Sequence, residues 1–218
     1  VGKRLRVLDV GMGRGTQALR LARGGHEVTG VERDPGHLAA VRAAVAAEPE
    51  GIRSRMRIVE GDGRDTGVHF LPGSFDVVLC HGVLLHVEEP DALLAGLGRM
   101  LAPGGLLSVV VRNADALAMR PGLRADWSGA LAAFGAHTYR DEAGVEVRAH
   151  RLDALSQALA GIAAPLVAWY GVRVFSEATA IPEAGAELDA LLAAEERAGR
   201  TEPYRRVASM LHLCGGRD

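Results

Sequence analysis

The sequence predicts an α/β fold built on a doubly wound, mostly parallel sheet, and three observations predict it. Apolar strand patterns alternate with helical patterns from Leu5 to about Asn113, and alternation of this kind forces parallel strands joined by right-handed crossovers. The first apolar run, Leu5 to Val10, ends in three glycines, Gly11, Gly13 and Gly15. Glycine spares a turn any Cβ penalty and lets backbone approach a ligand closely. At 218 residues and 48% hydrophobic, the chain can bury one substantial core, so residues 1–218 are expected to form one domain.

The elements follow in order. After the glycine turn, a helix over Thr16 to Arg23 presents free N–H groups to whatever lies beyond the strand. EVTGVE is the second strand and ends in Glu32; Asp34 and Pro35 then supply an N-cap and a first helical position for a helix ending near Ala47. MRIVE is the third strand, followed by the turn GDGRD, and FDVVLCHGVLLHV is the fourth. Pro90 and Asp91 open a helix whose Leu93, Leu94, Leu97, Met100 and Leu101 recur at helical spacing. A Pro103-Gly104-Gly105 turn leads into the fifth strand.

From about Asn113 to His150 the alternation breaks down, with Trp127, Phe134, His137 and Tyr139 scattered among small and charged residues. This reads as a helical insertion or lid on the substrate side. A helix over Asp153 to Ala160, a strand WYGVRVF, an acid-rich helix over Gly185 to Ala198 and a last strand after EPYRRVAS complete the chain. Ligands bind such sheets at the carboxyl ends of their strands, near the switch point. Function is therefore expected at Val10 to Gly15, Glu32, Asp62, His81 and Asn113.

Bulk properties narrow the classes. Lys and Arg total 25 against 27 Asp and Glu, so no overall positive field draws the protein to nucleic acid, and such a substrate would need a local patch. Lys3 is the lone lysine among the cations. Cys80 and Cys214 sit in apolar strand patterns without metal-type spacing and read as reduced core residues, which favours a cytoplasmic protein and no metal. No apolar run approaches the roughly 20 residues that span a bilayer.

The turn itself carries a resemblance. The fingerprint G-x-G-x-x-G of dinucleotide-binding domains would want glycine where Thr16 stands, and it does not ask for an acid at Asp9. D-x-G-x-G-x-G, Asp9 to Gly15, instead resembles motif I of the class I S-adenosylmethionine-dependent methyltransferases. Glu32 at the end of strand two, Asp62 after strand three, and Leu101, Pro103, Gly104 and Gly105 before strand five are similar to further motifs of that family. The resemblance implies a Rossmann-like, seven-stranded sheet with the last strand antiparallel. It implies S-adenosylmethionine as cofactor, with S-adenosylhomocysteine as product. The residues it places at the cofactor are Asp9, Gly11, Gly13, Gly15, Glu32, Arg33, Gly61, Asp62, Gly63 and His81. Glu32 would accept from the ribose diol, Asp62 from the adenine amino group, and Asp9 would hold the glycine loop and the cofactor's ammonium. Related enzymes often carry an N-terminal helical segment over the cofactor, ahead of the stretch matched here.

Further along, Asn113-Ala114 with Leu117 and Met119, the run Tyr170 to Phe175, and Glu202-Pro203-Tyr204 resemble the bacterial tRNA 5-carboxymethoxyuridine methyltransferases, which esterify a carboxylate on a modified wobble uridine. His81 matches a histidine of that subfamily. The chain departs from it where a lysine-rich segment is replaced by HTYRDEAGVEV and where Glu-Trp is replaced by Leu85-His86. A carboxylate with a pKa near 4 is ionised at neutral pH and needs positioning rather than a base. Arg173, Tyr204, Arg205 and Asn113 are the candidates for that positioning. A phenol or amine acceptor would call on His81 or His86 as base. Three functions are thereby framed: methylation of a tRNA carboxylate, O- or N-methylation of a small metabolite, and a non-catalytic subunit that only binds the cofactor. Oligomeric state is not legible.

Overall fold

The computed structural model describes residues 4–141, 144–177, 179 and 181–218; Lys3 and part of the HTYRDEAGVEV segment lie outside them. Five parallel strands form the first part of the sheet: β1 (Arg6–Val10), β2 (Glu27–Glu32), β3 (Met56–Glu60), β4 (Phe75–His81) and β5 (Leu101–Arg112). The sheet is completed by β8 (Leu166–Val172) and β9 (Met210–Gly216), and its order is β3-β2-β1-β4-β5-β9-β8. β9 runs antiparallel to both its neighbours. This is the expected seven-stranded sheet with an antiparallel last strand, and its order reverses between β1 and β4, the switch point at which such sheets bind ligands.

Alternation along each strand divides the core between the two faces of the sheet. Leu8, Val10, Val78, Cys80, Leu107, Val109, Leu211 and Leu213 pack on one face with Leu93, Leu94, Leu97 and Met100 of α5 (Pro90–Met100) and with Leu155 and Leu159 of α8 (Leu152–Gly161). On the other, Val7, Val28 and Leu79 pack against Ala18 and Ala22 of α1 (Thr16–Arg23). α2 (Pro35–Ala46) starts as expected: the Asp34 carboxylate accepts the backbone N–H of His37. α3 (Glu50–Arg53) and α4 (Thr66–His69) are single turns flanking β3.

Four local readings change. Strand four ends at His81, not Val87, because Gly82 takes a positive φ of 71° and the chain turns into a short 3-10 segment, Leu84–His86. The Pro-Gly-Gly sequence does not interrupt β5. The pairing register jumps from Phe75–Leu101 to Val77–Leu106, and the extra residues are absorbed as an irregularity within the strand. β8 ends at Val172, so Arg173 lies beyond the strand in the left-handed region, φ 59°. The insertion holds not only short helices, α6 (Met119–Leu123) and α7 (Trp127–Ala133), but also a hairpin of β6 (Thr138–Arg140) and β7 (Glu146–Arg148). α9 (Ala186–Arg200) packs beside β8.

Candidate cofactor cleft and acceptor side

A cleft of about 890 Å³ opens at the carboxyl ends of β1 to β4, within the size range of small-molecule sites. Val10, Gly11 and Gly13 form its floor; Glu32, Arg33, Gly61, Asp62 and Gly63 line one wall; Gly82, Val83, His86, Val87 and Leu93 close the other. Asp9 and Gly15 lie behind this lining. The glycine loop needs its glycines: Gly11, Gly13 and Gly15 have φ of 63°, 56° and 78°. A Cβ on Gly15 would stand 2.3 Å from Val41 Cγ2, while one on Gly13 would project into open space, where a ligand can come against bare backbone.

Glu32 ties the second strand to the loop. Its Oε2 accepts the backbone N–H of Gly13 at 2.8 Å, and its Oε1 accepts those of Arg33 and Asp34 at 2.8 and 2.9 Å. A carboxylate offers about four acceptor positions, so one remains on Oε2, on the wall of the cleft, with His37 Nδ1 at 3.8 Å, beyond hydrogen-bond distance. Asp9 is only 4% exposed. Burial, with the nearby Glu32 charge adding to it, pushes its pKa up to about 7. Asp62 behaves in the opposite way: chiefly the side-chain hydrogen bonds from Arg64 hold its carboxyl well below the usual range.

His81 is near the cleft but outside its lining. Its Nε2 stands 2.8 Å from Ser108 Oγ, which stands 2.8 Å from Nε2 of His212. Burial first, then His212, lowers His81 to a pKa of about 4, so the ring is neutral at physiological pH. His86, the other histidine that a phenol or amine acceptor would call on, lines the cleft. The signal was Gly82, which stops the strand and turns residues 83–93 across the strand ends.

The acceptor-side candidates are placed as follows. Asn113 is 2% exposed and its side chain is fully used inside the fold: Nδ2 donates to the carbonyls of Arg206 and Ala208, and Oδ1 accepts from Asp115 N. Arg205 pairs with Glu202 at 2.8 Å, and its guanidinium lies 3.9 Å from the Trp169 ring centroid. Tyr204 is half exposed. Arg173 Nε reaches Glu177 Oε2 at 3.4 Å. The centre of this region is Glu177, whose spacing from Arg173 in the sequence already offered it as that residue's alternative partner. Its carboxylate gathers Arg112 of β5 at 2.9 Å and Arg120 of α6 at 3.6 Å besides Arg173. Arg112 also packs over the Tyr139 ring at 5.0 Å. Arg112 and Arg120 come from separate segments, which no local spacing announces, whereas Arg173 and Glu177 are an i,i+4 pair.

Among the described residues, no group of His, Cys, Asp and Glu could hold a metal ion, and no helix is long and apolar enough to cross a membrane.

Comparison with known proteins agrees with this geometry. The Escherichia coli K12 tRNA 5-carboxymethoxyuridine methyltransferase is 37% identical over 117 residues, 54% of this chain and 44% of the relative. A ubiquinone biosynthesis O-methyltransferase of Xanthomonas euvesicatoria is 33% identical over 138 residues, 62% of this chain and 55% of that protein. The chain thus spans about half the length of the curated relatives it matches. In structure it is similar to the Burkholderia thailandensis 1,6-didemethyltoxoflavin-N1-methyltransferase, solved with S-adenosylhomocysteine bound. The TM-score is 0.61 at 19% identity, over 99% of this chain and 72% of that one. Residues 8–109, which carry the loop, strand ends and turns of the cleft, match the family model described as methyltransferase domain. Over this stretch the chain is similar to the methyltransferase domains of that family.

Proposed function

We propose that the chain binds S-adenosylmethionine in the cleft at the ends of β1 to β4 and methylates a carboxylate on a modified wobble uridine of tRNA. The observation that carries the donor half is the Glu32 carboxylate. Three backbone N–H groups fix it, and it keeps one acceptor position on the cleft wall, which suits a ribose hydroxyl. The space above Gly13 and the cleft volume fit the rest of the nucleoside. Bound there, the cofactor supplies an electrophilic methyl on a sulfonium, and the chain's part is to orient the acceptor for in-line attack.

The acceptor half is supported by the likeness to the tRNA enzyme of Escherichia coli and by Arg112, Arg120 and Arg173 around Glu177 beside the 113–150 segment. A carboxylate acceptor brings its own negative charge and asks only for donors and a geometry that leaves one lone pair free to attack. Arg173, 43% exposed in its side chain, is the member of this cluster offered for that contact, and the half-exposed Tyr204 is offered as a second donor. The unpaired cysteines, Cys80 and Cys214, are in keeping with a cytoplasmic setting.

A second reading, O- or N-methylation of a small molecule, is favoured by one observation: His86 lines the cleft, where a phenol or amine acceptor would need a base. The ubiquinone O-methyltransferase relatives point the same way. The test is transfer of labelled methyl from S-adenosylmethionine to total tRNA from a strain lacking this gene, followed by mild alkali. Alkali-labile label is the result expected of an ester; no label on tRNA, with cofactor binding intact, moves the acceptor to a small molecule.

A further inference from the structure

Two of the carboxylates that line the cleft, Glu32 and Asp62, differ in a way that simple counting exposes. Glu32 is held by backbone N–H groups, which cannot leave, and it retains an open acceptor position. Asp62 is filled. Its Oδ1 accepts Arg64 N at 2.9 Å and Arg64 Nε at 3.0 Å; its Oδ2 accepts an Arg64 terminal nitrogen at 2.8 Å and an Arg33 terminal nitrogen at 2.9 Å. Those four bonds use the four positions a carboxylate has. A base amino group arriving at Asp62 therefore finds no lone pair until one of these donors withdraws.

The donors are not equally able to withdraw. Arg64 N belongs to the turn at the start of the Gly63–Asp65 segment and stays with the backbone. The two guanidiniums are free to swing: their side chains are 63% and 66% exposed, while the Asp62 side chain is 22% exposed. Arg64 holds two of the three displaceable positions in a bidentate fork, the stronger arrangement. All three residues line the cleft.

We propose that Arg64 is an intramolecular competitor for the base-reading end of the cleft: its guanidinium occupies Asp62 in the ligand-free protein and must be expelled for the purine amino group of the methyl donor to bind. This rests on the donor reading given above. Arg64 thereby lowers affinity for S-adenosyl ligands and makes that affinity depend on salt in an unusual sense. Salt weakens an exposed ion pair, so it weakens the competitor before it weakens a ligand that docks there through neutral hydrogen bonds.

The test is isothermal titration of the full chain with S-adenosylhomocysteine, comparing wild type with Arg64→Ala and Arg33→Ala. Arg64→Ala keeps the backbone N–H that orients Asp62 and removes only the fork. The expected result is a Kd several-fold lower for Arg64→Ala, with a smaller gain for Arg33→Ala. Raising salt from low to moderate should narrow the gap between Arg64→Ala and wild type. A second variant, Arg64→Lys, keeps the charge but loses the fork, and its affinity should fall between the two. Unchanged or weaker binding by Arg64→Ala, with wild-type binding intact, overturns the competitor role alone. Absence of S-adenosylhomocysteine binding by both forms overturns the donor reading and the proposal with it.

Discussion

Arg112, at the end of β5, and Glu177, in the loop after β8, meet at 2.9 Å with each side chain nine-tenths buried. The pair clamps the loop that carries Arg173 to β5, and the residues just before Glu177 are held by Glu195 of α9, which accepts the N–H groups of Val174, Phe175 and Ser176. Removing one partner of a buried pair leaves the other charge without compensation, at a cost of about 3–5 kcal/mol. Glu177→Ala is therefore expected to lower stability by roughly that amount, whereas Arg173→Ala, at the exposed edge, should cost under about 1 kcal/mol. Urea unfolding followed by far-UV circular dichroism measures both. Equal effects of the two substitutions would mean that Glu177 is not the centre of the cluster.

Asp9 sets a conflict between stability and binding. Its folded pKa, about 7, lies above the ordinary 3.8, so the folded state holds this proton more tightly than the unfolded one. Stability from this group is full below pH 3.8 and falls as pH rises to about 7, at about 1.4 kcal/mol per unit of pKa difference. Asp9→Asn should flatten that part of the profile and raise the Tm of the ligand-free protein at pH 8, while weakening binding of S-adenosylhomocysteine. On the ammonium contact that the family resemblance implies for Asp9, wild-type affinity should improve as pH rises through 7. A Tm of Asp9→Asn at pH 8 below that of wild type would contradict the assignment.

The His81–Ser108–His212 chain predicts acid sensitivity of a different sign. Burial lowers the pKa of both rings, His81 to about 4, so the unfolded chain binds protons in a range where the folded one does not. The contribution is full above about pH 6.5 and is lost as pH falls toward 4, on the order of 3 kcal/mol for His81. Ser108 has one hydroxyl proton to share between two Nε2 atoms, so one ring must donate and the other accept. Nitrogen NMR at neutral pH should find opposite tautomers for His81 and His212, and Ser108→Ala should abolish that correlation. Matching tautomers in the wild type would break the chain as described.

How much of this was legible follows from the kind of pattern each part uses. The strand-glycine-helix handover, the Asp34 N-cap and the stripe from Leu93 to Met100 are local signals and appear as expected, whereas Leu101, read with the stripe, is extended and opens β5. The end of β4 was misplaced because Val83, Leu84 and Val87 are apolar in a loop that packs against the core, and apolarity alone does not separate loop from strand. Arg173 was read into a strand on the strength of its β-branched neighbours, yet it takes a positive φ held by Glu195, twenty-two positions away, through the residues after it. The Glu177 cluster and the histidine chain are set by strand order, since Ser108 and His212 meet only because β9 enters beside β5.

Glu32 is where loop geometry and ligand chemistry coincide, and one isosteric change separates them from bulk stability. In Glu32→Gln one carboxylate oxygen becomes an NH₂ group, which donates and cannot accept. Turned one way, it faces Gly13 N–H; turned the other, it faces the N–H groups of Arg33 and Asp34. Either orientation sets donor against donor, and a buried polar group without a partner costs about 1–3 kcal/mol. The same substitution removes the negative charge that helps to raise the Asp9 pKa, so part of the stability loss is returned above pH 7. The expected outcome is a fall of at least about tenfold in affinity for S-adenosylhomocysteine, worth about 1.4 kcal/mol or more, with a Tm deficit that shrinks between pH 5 and pH 8. A deficit that instead grows with pH would show that the Glu32 charge does not act on Asp9.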